Sequence, residues 1–433
     1  MRKHTLTPTK VLLLLIVFSL HFSCTKDSDL LAEYTVLEEN ALLEERNVDS
    51  ETDDSPAEEP AQSDASEPDP QDPAGTTEFS KEPSNKVLDW KNLFDNQTAD
   101  DQRQIALSNS GDGGDIYYLD VSPYIYMFQV TGEDSYMEFA MQLFRNAMNT
   151  ANDGATPGDG YLGWRDGTSD ITNGVRVNDG SEVPLAESRG MRTIARMLWV
   201  LAKSPSFLSR NGNQQAYDEM LAWFEKHIWE KWESRGIGNL YRSRTHMSSH
   251  WGQMAWFLHE ITGTPKYRSF YENWSYAGFP SGPHTGGNMR NQLREVNANG
   301  GTGYVWNGLW GSMTGSNDVS HANAEVELMI LGAEMGDYWS QTDMQRLINT
   351  FEGLIFKSNS WNNHAYYIDG GGSEAALWDQ GWVQLGRFSS ELQAKLENAE
   401  LLPTYYYYQK VRIANMAYNQ SYLEGNLIYP EIP

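Results

Sequence analysis

The sequence predicts an all-α domain, an (α/α) toroid whose long loops gather over one end. Three observations lead there. Residues 117–130, 246–261 and 319–335 each read as a helix and run into a glycine stop, at Thr131-Gly132, Thr262-Gly263 and Gly336. A second helix then opens at Asp134-Ser135-Tyr136, Pro265-Lys266-Tyr267 and Asp337-Tyr338; glycine past the last turn is the usual helix terminator. The second helices are amphipathic, with Phe139, Leu143, Phe144 and Met148 in one and Leu347, Ile348, Phe351 and Ile355 in another. Strand signals are sparse, and the stops lie about 60–75 residues apart, which suits a helical hairpin plus a long loop.

Two further first-type helices fit the rhythm. Residues 184–203 carry Pro184 in the first turn, and residues 377–396 form the last of the set. Glycine-rich loops at 154–180 and 278–315 precede helix starts. Long loops clustered on a scaffold usually carry function. In a toroid the starts of the inner helices face one cavity; a solenoid of helix pairs is the alternative arrangement.

The N-terminus reads as a targeting segment, residues 1–24. Arg2, Lys3 and Lys10 precede an apolar run at 11–18 that is too short to span a bilayer. Leu20-His21-Phe22-Ser23-Cys24 resembles a bacterial lipobox, so Cys24 is the expected lipidation site. It is the single cysteine of the chain, which excludes a disulfide within one molecule. Asp27-Ser28-Asp29 resembles the surface-export signals of Bacteroidota lipoproteins. The expectation is a cell-envelope protein anchored through lipid at the outer membrane or cell surface, with the periplasmic face as the other placement.

Residues 25–85 hold 19 Asp+Glu against 3 Lys+Arg, with prolines, serines and few aromatics. Such a segment buries too little apolar surface to fold and reads as an extended acidic tether. The chain carries −27; the leader contributes +3 and the tether −16, leaving −14 on the expected domain at 86–433. That sign argues against nucleic acid as partner. Local clusters decide anion binding, and Arg176, Arg189, Arg192, Arg242, Arg244 and Arg290 gather in one stretch. Arginine suits bidentate recognition of carboxylate or sulfate.

The expected inner-helix starts supply the candidate chemistry. They offer Asp115, Tyr117, Tyr118 and Asp120; Glu187, Ser188, Arg189 and Arg192; His246, His250 and Trp251; Asp318, Ser320, His321, Asn323 and Glu325; and Trp378, Asp379, Gln380 and Trp382. His246 and His250 share one helix face at a positive dipole end. Loop tryptophans Trp164, Trp306 and Trp310, with polar neighbours, are the material of a carbohydrate cleft; the competing assignment for each is ordinary core. No phosphate loop, dinucleotide fingerprint or nucleophile elbow is present, and no cofactor is implied. His246 and His250 have zinc-ligand spacing, but no third ligand stands near them in sequence.

Ser249-His250-Trp251 near a helix start, Arg290 or Arg294 in the next long loop and Tyr304 further along it resemble the active-site layout of the all-helical alginate lyases and related uronate-polysaccharide lyases. That family places Asn beside the histidine. Ser249 stands there in this chain, leaving Asn239 or Asn323 to fill the role. The resemblance implies β-elimination on an anionic polysaccharide by a monomeric enzyme. It assigns His250 and Arg294 to carboxylate neutralisation or as base partners, Tyr304 as base, acid or both, and His246 and His321 as further candidates. Arg189, Arg192, Trp251, Trp306, Trp310, Asn323 and Glu187 are then substrate-binding. Two readings compete. A glycoside hydrolase of the same fold needs paired carboxylates, for which Glu187, Asp318, Glu325 and Asp379 are candidates. A non-catalytic glycan-binding lipoprotein would need the Trp and Arg alone.

Overall fold

The computed structural model describes residues 81–154, 158–165, 171–172, 175–176, 181–298, 300–360, 363–372, 380–400 and 409–429. The leader with Cys24, nearly all of the tether, Trp378, Asp379 and residues 405–408 lie outside these. The chain divides into two compact units, Met1–Glu78 with Thr168–Asp179, and Phe79–Gly167 with Gly180–Pro433. Of the first, the described part is one short antiparallel pairing, β1 (Ile171–Thr172) with β2 (Val175–Arg176).

The second unit is mostly helical. In order it contains α1 (Asn85–Asp95), α2 (Thr98–Ser108), α3 (Gly113–Tyr118), α4 (Ser122–Thr131), α5 (Asp134–Thr150), α6 (Pro184–Ala202), α7 (Pro205–Leu208), α8 (Asn213–Phe224) and α9 (Lys231–Ser234). Then come α10 (Thr245–Thr262), α11 (Pro265–Glu272), α12 (Met289–Gln292), the hairpin β3 (Arg294–Ala298) and β4 (Gly301–Val305), α13 (Val319–Glu334), α14 (Gln341–Thr350), a 3₁₀ helix Trp382–Phe388, α15 (Ser390–Glu397) and α16 (Gln409–Leu423).

Two kinds of helix alternate. In α6 every residue from Pro184 to Leu201 except Arg189 is buried, and in α10 every residue from Thr245 to Leu258. By contrast α5 buries one face, with Tyr136, Met137, Ala140, Met141, Leu143, Phe144 and Ala147 recurring at helical spacing. A residue such as Phe144, fully buried, contributes about 3–5 kcal/mol against truncation to alanine. The fully buried helices pack side by side: α4 on α6, α6 on α10, α10 on α13, α13 on the 3₁₀ helix, the 3₁₀ helix on α16 and α16 on α4. One-faced helices back them: α5 on α4, α8 on α6, α11 on α10, α14 on α13, α15 on the 3₁₀ helix and α1 on α16.

Local chemistry fixes the ends. Gly132 and Gly263 terminate α4 and α10 with φ of 70° and 67°, in the left-handed region where a side chain is strained. Several boundaries differ from the sequence expectation. The helix expected over 117–130 is two, because Leu119 turns extended and the Asp120 carboxylate accepts from the Ser122 backbone N–H at 2.9 Å and hydroxyl at 2.6 Å, with Pro123 following in the first turn of α4. The helix after Gly336 starts at Gln341, where Ser340 and Asp343 form a reciprocal capping box. The expected 377–396 helix is interrupted at Ser389, whose hydroxyl caps α15 by accepting from Leu392 N–H at 3.1 Å. The loop expected across 278–315 contains the β3–β4 hairpin, in register Glu295 opposite Tyr304.

Candidate functional site

The starts of α10 and α13 are tied to one another. Thr245 opens α10, donating its backbone N–H to Gly308 O at 2.9 Å and its hydroxyl to Glu325 Oε1 of α13 at 2.5 Å. At the next residue, the His246 ring lies 4.3 Å from the His321 ring at 31°. Asp318 caps α13: Oδ1 accepts from His321 N–H at 2.9 Å and Oδ2 meets His321 Nδ1 at 2.5 Å. A carboxylate only accepts, so this contact makes Nδ1 the donor and fixes the orientation of the ring. The His321 contacts hold the Asp318 carboxyl below its ordinary value against the opposing effect of burial.

His250 lies one turn deeper in α10 and is 4 % exposed. Burial, and then the charges of Arg192, His246, Arg189 and His321, push its pKa well below the ordinary value, so its imidazole is neutral at pH 7. Among the described residues its Nδ1 has no hydrogen-bond partner. Glu325 is fully buried beneath the same helix starts. Burial raises its carboxyl to about 7, although Thr245, Trp306 and Asn317 all donate to Oε1; Oε2 has no partner among the described residues.

Two clefts share Arg192, whose charge, like that of Arg189, acts on His250. One, of about 230 Å³, is lined by Tyr117, Tyr118, Leu119, Asp120, Arg189, Arg192 and Gln380. Here the Arg189 guanidinium sits 4.0 Å over the Tyr117 ring. The other, of about 370 Å³, is lined from five helical elements, by Ser122 and Tyr126 of α4, Arg192, Thr193 and Arg196 of α6, Gln253 and Phe257 of α10, Glu327 and Leu331 of α13, and Gln384. Arg192 pairs with Glu327 at 3.1 Å, and Gln253 donates to Glu327 at 3.2 Å. Burial raises the Glu327 carboxyl above its ordinary value, Arg192 opposes this, and Asp120 adds to it.

The structure therefore brings together His246, His250, His321, Arg189 and Arg192. Other expected residues go elsewhere. Tyr304 lies on the hairpin that docks against α14, where Gly303 leaves no room for a Cβ beside Thr350. Its hydroxyl donates to Asp343 at 2.8 Å and accepts from Arg346 at 2.6 Å and Arg290 at 3.2 Å. Burial raises its pKa despite Arg346, contrary to the lowering a phenolic base needs. Arg294 donates to Gly315 O from the same hairpin. Trp251 is fully buried edge-on against Trp229, and Trp306 is fully buried and stacked on Trp382, so neither presents a face to a sugar. Trp310, half-buried, donates to Arg242 O at 2.9 Å and packs on Phe279.

Asn323 is a backbone clamp: its carbonyl accepts from Gly381 N–H at 2.7 Å and Trp382 N–H at 3.2 Å. Glu187 turns outward into a sealed node, accepting from Lys231 Nζ at 2.7 Å and Trp232 Nε1 at 2.7 Å. Substrate binding is thus not what holds Trp251, Trp306, Asn323 or Glu187. Sequence reasoning missed Arg196, Gln253, Glu327 and Gln384. The available signal was Arg189, Arg192 and Arg196 at spacings of three and four inside an otherwise apolar helix, which align on one face.

Among the described residues no group of three His, Cys, Asp or Glu side chains is placed to hold a metal ion, and no helix is long and apolar enough to cross a membrane. No family model matches the chain, and neither a curated protein nor a solved structure matches it.

Proposed function

We propose that the chain is a polysaccharide lyase that cleaves a uronate-containing glycan by β-elimination, on an (α/α) toroid carried at the cell envelope by a lipid on Cys24. The cyclic order of helix contacts, α4, α6, α10, α13, 3₁₀ helix, α16 and back to α4, supports the toroid. The observation that carries the chemistry is the pair Arg189 and Arg192 lining a cleft beside three histidines, one of them oriented by a carboxylate.

The C5 proton of a uronate is acidic only once the neighbouring carboxylate is neutralised. Arg189 and Arg192 supply that charge; the neutral His250 does not. His321, with Nδ1 held by Asp318, accepts the C5 proton at Nε2. The C5–H electron pair becomes the C4–C5 double bond, and the C4–O4 bond breaks. Tyr117 or Tyr118, at the same cleft, donates a proton to the departing oxygen, the role that the sequence assigned to Tyr304. Acid–base help of this kind is worth roughly 10²–10⁴-fold.

A hydrolase is the second reading, favoured by Glu327, whose carboxyl burial raises and Asp120 raises further, the two lining adjoining clefts that share Arg192. The full chain incubated with alginate, glucuronan, ulvan and pectate separates the two. Elimination gives ultraviolet absorbance from a double bond conjugated to the carboxylate. Reducing ends without absorbance would transfer the chemistry to Glu327 and Asp120. Neither signal on any of these polymers would remove the catalytic reading.

A further inference from the structure

We propose that the larger cleft holds a second anion subsite, built on Arg196, that takes the carboxylate or sulfate ester of a sugar next to the one being cleaved. The inference rests on the lyase reading for the identity of the ligand but not for the existence of the site.

Arg189, Arg192 and Arg196 stand at i, i+3 and i+7 on α6, in one row that spans about 10 Å at 1.5 Å per residue. The two clefts meet at Arg192, so the row runs from the first cleft into the second. The three guanidiniums differ in what they touch. Arg189 lies over Tyr117, and Arg192 has Glu327. Arg196 is 7 % exposed and has no carboxylate within ion-pair distance among the described residues. Its partners are neutral and distant: Gln129 Oε1 at 3.4 Å, Tyr418 OH at 3.3 Å and the Tyr126 ring at 4.6 Å. Its Nε has no partner among the described residues. The nearby Glu334 is engaged by Arg387 instead.

Burying a cation without a directly paired counter-charge is costly, Glu334 acts on Arg196 only at a distance, and an Arg side chain brings five donors in a fixed fork. Arg196 keeps an unused donor among the described residues and lines a cavity that is open to solvent. An incoming oxyanion completes it. Gln253 and Gln384, at the same cavity, supply amides suited to the ring hydroxyls.

The test is equilibrium binding of glucuronate, glucose 6-sulfate and glucose to the full chain carrying Arg189→Gln, which disables the carboxylate site of the first cleft, measured calorimetrically. Glucuronate or glucose 6-sulfate binds at least tenfold more tightly than glucose, and the better of the two identifies the natural substituent. Arg196→Gln abolishes that preference while unfolding remains cooperative. Gln384→Glu, which sets a carboxylate in the same cavity, abolishes it without touching Arg196 and serves if Arg196→Gln does not fold. Equal binding of all three sugars, or an anion preference that survives Gln384→Glu or Arg196→Gln, overturns the subsite. Anion binding that depends on Arg196, with no conjugated product from any polyuronate, would keep the subsite and remove the lyase.

Discussion

Two buried polar clusters at the ends of neighbouring helices have opposite bookkeeping of donors and acceptors. At the Lys231 node all three ammonium donors are used, on Leu162 O at 3.0 Å, Glu182 at 2.9 Å and Glu187 at 2.7 Å, and Arg235 closes the set onto Glu182 and Asp159 at 2.6 Å each. At the α10–α13 starts, His250 Nδ1 and Glu325 Oε2 are buried without partners among the described residues, as are the Nε atoms of Arg192 and Arg196 on the neighbouring α6. Lys231, Glu182 and Glu187 are buried, as are His250 and Glu325. A saturated network rigidifies a fold, whereas leaving a buried polar group unmade costs about 1–3 kcal/mol each. Unfilled donors on Arg192 and Arg196, which line the clefts, suit a surface that takes a ligand, and saturation is the mark of a brace.

The comparison breaks first at the brace. Lys231→Met leaves Glu182 and Glu187 facing each other with no cation between them. The expected loss is about 3–5 kcal/mol of stability in urea unfolding; a loss below 1 kcal/mol would show that the node is not a brace.

Glu325 sharpens the other side. Its carboxyl is raised from the model-compound value of 4.5 to about 7, so the folded state holds the proton more tightly than the unfolded chain. Stability from this group is lost as pH rises from 4.5 through 7. Glu325→Gln is expected to gain on the wild type by on the order of 2–3 kcal/mol between pH 4.5 and pH 8. A constant difference across that range would mean that the carboxyl is not strained by its burial.

The Arg290–Asp343–Tyr304 cluster belongs with the brace. Asp343 is held well below its ordinary range by Arg290, the Ser340 N–H and hydroxyl, and Tyr304, against the effect of burial. A depressed carboxyl stabilises the fold above its unfolded pKa, and that stability is lost as pH falls below about 4. Asp343→Asn is expected to flatten the acid limb of a stability profile. An unchanged limb would place the acid sensitivity elsewhere. Tyr304→Phe removes one buried hydroxyl from the cluster and costs about 1 kcal/mol in the same unfolding measurement.

Helix rhythm was the most legible feature of the sequence. Glycine stops at Gly132, Gly263 and Gly336 and the apolar faces of α5 and α14 follow from local chemistry alone. So did the grouping of His246, His250, His321, Arg189 and Arg192, because residues at the starts of neighbouring buried helices become neighbours in space. The hairpin was legible too but unread: Asn299-Gly300 stands between the paired residues Ala298 and Gly301, and that dipeptide is the strongest short hairpin signal. Tyr304, read as part of a loop, was therefore sent to the cleft, whereas strand pairing turns it onto α14. Glu187 and Asn323 show a different limit. Their partners, Lys231 and the Gly381 and Trp382 amides, lie 44 to 59 residues away, and nothing local announces them. Arg196 was overlooked although it continues the row begun by Arg189 and Arg192, since Ile194, Ala195 and Met197 around it read as a helix interior.

The most direct test of the account sets the two regions against each other in one assay, the rate of conjugated double-bond formation from a polyuronate by the full chain. His321→Ala is expected to lower that rate by roughly 10²–10⁴-fold with little change in Tm, while Tyr304→Phe leaves it within about twofold. Loss of the reaction in Tyr304→Phe with His321→Ala still active would contradict the account and return the chemistry to the hairpin.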